Sequence, residues 1–305
     1  MVRPAAFGFN AETAKDNFFQ NTTDLPERKL QAKALEEFDG MVELLRSKGI
    51  DIIVAEDSKE PAKPDAVFPN NWFSTTADGG LHIFPMYPIN RRLEKELNVQ
   101  TILKRSFHIE YIKDWSDLEK QDLFLEGTGS MVMDHESRII YACISNRTKL
   151  QALEQFAKAT QYKVMPFHAE NNKGTLYHTN VMMSIGEGFA ILCPKMISDH
   201  LERIAVAQLL ETSGHENIYV EPEVAEKFGC NLLQVKNKKG KKFIVMSVTA
   251  YQAIPGDKRK RLEKYGEIIS VDVSTIEHVN GGSVRCMMAE IFLPHLNHGD
   301  TEAQS

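Results

Sequence analysis

Short apolar runs with strand character alternate with amphipathic helical patterns along all 305 residues, and this alternation restricts the chain to the α/β class. Helical spacing is clear at 34–49, 148–159, 198–214 and 256–266. In the first of these, Leu35, Phe38, Met41, Leu44 and Leu45 share a face that ends at Gly49; the third opens on a Ser198 cap and closes on Gly214. Strand-like runs cover 50–55, 66–73, 81–86, 138–144, 177–185, 189–193, 242–248, 267–273 and 283–293. Strand pairs followed by a helix recur loosely, about five times, which hints at internal pseudo-symmetry. No Pro-, Gly- or Ser-rich linker divides the series, so one domain over 1–305 is expected.

A formal charge of −6 argues against nucleic acid or an anionic membrane as the main partner. KNKKGKK (236–242) reads as a hairpin turn and DKRKRLEK (257–264) as the solvated face of a helix. No run approaches the ~18 apolar residues that a membrane span needs, and MVRPAAFGFN lacks the apolar core of a signal peptide. Cys143, Cys193, Cys230 and Cys286 are scattered without metal-type spacing. Cys143 and Cys193 end apolar strands and read as buried, inert thiols. The expectation is a reducing, cytoplasmic protein with no metal, no cofactor and no structural disulfide; a homo-oligomer is left open.

Cys286 is different. It lies in GGSVRCMMAEIFLP (281–294), where glycines meet an apolar, strand-like run, a setting that suits a nucleophile. Upstream, FLEGTGSMV (124–132) offers Glu126 at a strand end and LYHTNVMMSIG (176–186) offers His178. In an extended strand, His178 and Asn180 would point to one face, as would Asp65, Val67, Pro69 and Asn71 of DAVFPNNW. Asparagines and an acid among Phe68, Trp72 and Phe73 are costly to bury without polar partners and mark a polar pocket. Singly, each of these residues would pass as structural. Together, a carboxylate, an imidazole and a thiol point to a cysteine hydrolase or transferase, with the histidine as proton carrier.

Those segments resemble the guanidine-modifying, or pentein, superfamily of arginine deiminases, dimethylarginine hydrolases and amidinotransferases. The resemblance runs from MVRPAAFGFN to RCMMAEIFLP and is most specific in PDAVFPNNW (64–72), LEGTGSMV (125–132), YHTNV (177–181) and GGSVRCMMAE (281–290). It is strongest toward the arginine-deiminase-related, citrulline-utilisation hydrolases. It implies a five-bladed ββαβ propeller with a central site, Cys286 as the nucleophile that forms a covalent adduct, His178 as general acid/base and Glu126 as the acid that orients it. It further implies Asp65 as a substrate-contacting acid, Phe68 as a pocket wall, and Arg147 with Arg91 or Arg92 as grips for the substrate α-carboxylate.

Arginine deiminases carry aspartates where this chain has Asn71 and Asn180. Amides suit a neutral ureido group better than a cationic guanidinium, so citrulline, cleaved to ornithine, ammonia and carbon dioxide, is the leading substrate. Arginine deiminase or dimethylarginine hydrolase activity, amidino transfer to an amine, and a non-catalytic pentein binding protein are the alternatives.

Overall fold

The computed structural model describes residues 1–296. Four three-stranded sheets repeat one topology, an antiparallel hairpin followed by a crossover that lays a third strand parallel to the second. They comprise Phe73–Thr75, Gly80–Ile83 and Tyr111–Asp114; Val132–Asp134, Ile139–Cys143 and Lys163–Phe167; Met183–Gly186, Phe189–Leu192 and Glu216–Tyr219; and Leu233–Lys236, Lys242–Ser247 and Glu267–Val271. Helices Leu150–Thr160 and His200–Thr212 make two of the crossovers. A smaller fifth unit pairs Val2–Arg3 parallel to Ala55–Glu56 across helix Glu27–Ser47. The sheets are separate, and none closes on itself among the described residues.

The middle strands are buried on both faces, which explains their unbroken apolar reading. Along Ile139–Cys143, Ile140 and Ala142 pack on Leu153 and Phe156 of the crossover helix, whereas Tyr141 and Cys143 join a second core with Phe167 and Met182. Burial pushes the Cys143 and Cys193 thiols up to about 11, so both are inert at neutral pH. The lysine-rich 236–242 segment is the hairpin turn between antiparallel strands, as its composition indicates. No helix of the described residues is long and apolar enough to cross a membrane.

Several elements differ from expectation. The first helix starts at Glu27, because the opening stretch carries only Leu30 and Ala34 on its buried side and shows little apolar periodicity. The third is capped by Asp199, whose carboxylate accepts the Glu202 N–H at 2.9 Å, not by Ser198. The runs 66–73, 177–185 and 283–293 are not continuous strands. Pro69–Asn71 and Thr179–Val181 are single 3-10 turns, with strands beginning only at Phe73 and Met183. Proline has no ladder donor, and the short polar side chains beside these turns bond locally. At the third, the N–H groups of Cys286, Met287 and Met288 bond back three residues, so the segment coils where its apolar composition reads as extended.

These departures share one device. An N–H bonded to the carbonyl three residues earlier closes a tight turn at Phe68–Asn71, Glu126–Gly129, His178–Val181, Phe228–Asn231 and Ser283–Cys286. The first four lead directly into the hairpins of the four full sheets.

Candidate active site

The five turns form a ring of neighbours. Gly127, at φ 46°, packs on the carbonyls of Asn70 and Asn71, where a Cβ would collide with backbone, and Asn70 Nδ2 donates to Thr128 Oγ1 at 3.2 Å. Thr179 Oγ1 donates to the Ser130 carbonyl at 2.5 Å and accepts the Cys143 N–H at 2.8 Å, joining the second turn to the third. Asn231 Nδ2 donates to the Asn180 carbonyl at 3.1 Å and its Oδ1 accepts the Arg285 N–H at 3.1 Å, joining the third, fourth and fifth. Asn280 Nδ2 donates to the Pro64 carbonyl at 3.1 Å, and Gly282 lies against the Phe68 ring, closing the circuit.

Glu126, His178 and Cys286 come from three of these turns and are all buried. His178 Nε2 meets Glu126 Oε2 at 2.8 Å, and Oε1 accepts the Tyr87 N–H at 3.0 Å. Burial pushes the Glu126 carboxyl up, but Arg147, the His178 hydrogen bond and Arg91 outweigh it and hold it down at about 2. Burial lowers the His178 pKa, and Glu126 restores only part of the loss. Burial thus favours the neutral imidazole, which is tied at Nε2 and has no protein hydrogen bond at Nδ1 among the described residues. The Cys286 sulfur faces two side-chain amides, Asn180 Nδ2 at 3.5 Å and Asn231 Nδ2 at 3.4 Å.

Asn71 and Asn180 both reach this centre. Asn71 Oδ1 accepts from Arg91 Nη1 at 2.8 Å; because a guanidinium can only donate, the assignment of that amide is fixed and its Nδ2 points away. That Nδ2 is buried without a partner, as is Asn180 Oδ1. Asn71 Nδ2 and the His178 ring edge crowd the same point, since a Cβ on Gly129 would collide with the former and stand 2.7 Å from His178 Nδ1.

The arginines expected to grip a substrate carboxylate are all engaged within the chain. Arg91 makes a fully buried two-pronged pair with Glu94 at 2.7 and 2.8 Å. Arg147 is held by Asp16, donates to the Thr13 carbonyl at 3.1 Å and stacks on Tyr177 at 4.6 Å. Both guanidiniums thus already hold a carboxylate of the chain itself. Arg92 remains partly exposed, bonded to the Met86 carbonyl at 2.9 Å and 3.4 Å from Glu119. Asp65 is likewise engaged, accepting from Asn10 at 2.6 Å, Thr13 at 3.2 Å and Asn280.

Those contacts show what the sequence reading missed. Residues 10–20 lie over the centre, with Asn10 and Thr13 on Asp65, Asp16 on Arg147, and Asn17 and Gln20 on the Asn280 carbonyl at 3.0 and 3.2 Å. Nothing periodic marks them. Asn231 could have been found, because GCNLL repeats the polar-then-apolar entry of PNNWF and HTNVMM.

The solved structures that share this fold are guanidine-modifying enzymes of the pentein superfamily. Within the superfamily, this chain belongs to the N,N dimethylarginine dimethylhydrolase family, eukaryotic, whose sequence model matches residues 3–293. The family is named for hydrolysis of a methylated arginine. The bifunctional arginine dihydrolase/ornithine cyclodeaminase AgrE of Nostoc sp. is 22% identical over 213 residues, 67% of this chain; the chain spans only 27% of that relative. The substrate-bound N-terminal domain of ArgZ, an arginine dihydrolase from the cyanobacterial ornithine-ammonia cycle, superposes with a TM-score of 0.73 at 17% identity, covering 97% of this chain and 98% of that one. A dimethylarginine dimethylaminohydrolase in adduct with S-methyl-L-thiocitrulline gives 0.61 at 16% identity, covering 95% and 97%.

Proposed function

We propose that this chain is a single catalytic domain, a five-bladed ββαβ propeller, that hydrolyses the ureido C–N bond of citrulline through a covalent adduct on Cys286. The observation that carries the substrate assignment is the pair of unpartnered amide atoms, Asn71 Nδ2 and Asn180 Oδ1. One donor and one acceptor complement a ureido group, which has both a carbonyl oxygen and N–H groups. A guanidinium has donors only and would leave Asn71 Nδ2 buried and unsatisfied, at a cost of about 1–3 kcal/mol.

In this reading His178 takes the thiol proton at Nδ1, and the Cys286 sulfur attacks the ureido carbon. The C–N bond breaks as the imidazolium returns that proton to the departing amine, leaving an S-carbamoyl adduct. Water, giving its proton to the same imidazole, cleaves the adduct and restores the thiol. The carbamate released decomposes to ammonia and carbon dioxide. Glu126 fixes the ring through Nε2 and stabilises its charged form, while Asn180 and Asn231 solvate the sulfur. Phe68 walls the pocket and Asp65 anchors residues 10–20 over it. Arg92, whose guanidinium is the least committed of the three, receives the amino-acid carboxylate.

Arginine or a methylated arginine is the second reading, supported by the family and by the dihydrolase relatives. Converting Asn71→Asp and Asn180→Asp together separates the two. The proposal expects the citrulline/arginine ratio of kcat/KM to fall by about tenfold or more. An unchanged ratio would remove the amide argument.

A further inference from the structure

Beneath the ring of turns lies a cavity of about 900 Å³. Pro69, Thr128 and Arg285 of the turns, with Leu232 just after the fourth, line it, whereas Glu126, His178 and Cys286 do not. The turns therefore partition the catalytic centre from a second chamber of the size that small-molecule sites occupy. Its walls are largely apolar, with Phe73, Leu103, Phe107 and Ile291 among them.

One polar feature of this chamber is unresolved by the chain itself. Asp134 is 3% exposed and lines the cavity; its Oδ1 accepts the N–H groups of Glu136 and Ser137 at 3.1 and 3.0 Å, but Oδ2 is buried with no hydrogen bond. His215 Nδ1 is 3.8 Å away, too far to bond, and pairs with Ser213 Oγ at 3.2 Å instead. Of the cavity's other acids, Glu290 pairs with Arg285 at 2.9 Å, and Asp51, Glu136 and Glu187 are exposed. A carboxylate oxygen without a hydrogen bond, with only the His215 ring 3.8 Å away, at the edge of a largely apolar chamber leaves room for a cation.

We propose that this chamber is a second ligand site, separate from the Cys286 centre, for a small organic cation: a protonated amine on an apolar body, its ammonium on Asp134 Oδ2. The inference does not depend on the substrate of the Cys286 site.

Calorimetric titration with benzylamine, protonated at neutral pH, and with benzyl alcohol as its uncharged counterpart tests this. Benzylamine should bind the wild-type protein about tenfold or more tightly than the alcohol, and Asp134→Asn, which keeps the Oδ1 turn cap, should erase that advantage. Alkylating Cys286 with iodoacetamide should leave the affinity unchanged. Ile291→Trp, which narrows the chamber, should weaken benzylamine binding about tenfold while iodoacetamide still alkylates Cys286 at the wild-type rate; this variant decides the matter if Asp134→Asn misfolds. Equal affinity for amine and alcohol, an affinity unchanged by Ile291→Trp, or binding lost on alkylation would overturn the proposal. Water alone on Asp134 would appear as no binding by either probe and would also overturn it.

Discussion

Asn231 places one side-chain nitrogen 3.4 Å from the Cys286 sulfur and 3.1 Å from the Asn180 carbonyl, so a single amide locks the thiol to the strand entry beside His178. Its other end holds the Arg285 N–H at 3.1 Å, one residue before Cys286. Asn231 thus fixes the Cys286 segment and points an N–H donor at its sulfur.

Replacing that donor with an anion should be felt first by the thiolate. Asn231→Asp is expected to slow alkylation of Cys286 by iodoacetamide about tenfold and to move the rate–pH curve to higher pH, because a carboxylate beside the sulfur disfavours ionisation. A shifted curve with unchanged far-UV circular dichroism separates this from a loss of fold.

Gly129 is required because nothing larger fits between Asn71 and His178. A Cβ there would stand 2.7 Å from His178 Nδ1 and would collide with Asn71 Nδ2. Gly129→Ala should cost about 1–3 kcal/mol in stability from overpacking and about 10² in kcat from misplaced groups. Urea denaturation and steady-state kinetics on the same preparation measure both.

Glu126 makes the protein sensitive to strong acid. Its pKa falls from about 4.5 unfolded to about 2 folded, so its contribution is complete above pH 4.5 and disappears as the pH falls through 2. That difference corresponds to about 3 kcal/mol at neutral pH. Glu126→Gln should flatten the stability profile across this window. It should also lower the His178 pKa further, since the carboxylate is what holds it up; imidazole proton shifts in NMR titrations report that directly.

Asp16 compensates the buried Arg147 guanidinium, whose other carboxylate neighbour, Glu126, lies 3.5 Å away. Asp16→Ala should destabilise the protein by about 2 kcal/mol, and Arg147→Ala on top of it should add less than it does alone. A denaturation-based double-mutant cycle gives the coupling.

The legible parts of this molecule were those governed by a single period. The strands Ile139–Cys143 and Lys242–Ser247 and the helix Leu150–Thr160 appear within a residue or two of where their apolar spacing places them. Three of the five turns were read as strands because their residues are buried on every side, so Val67, Phe68 and Trp72, or Val284, Met287 and Met288, carry no facing pattern. Glu126, His178 and Cys286 stood out through residue type and neighbours, which survive such an error. The surroundings of the arginines stayed hidden for the opposite reason. A sequence displays Arg91 and Arg147 but not the Glu94 and Asp16 that occupy them, and the second pairing spans 131 positions.

The central claim is that Cys286 opens a ureido carbon, and product analysis tests it most directly. Purified protein incubated with citrulline should release ornithine and ammonia, and Cys286→Ser should release neither. Citrulline left intact while arginine or a methylated arginine is consumed would contradict the account and show that the two amides do not select the neutral group.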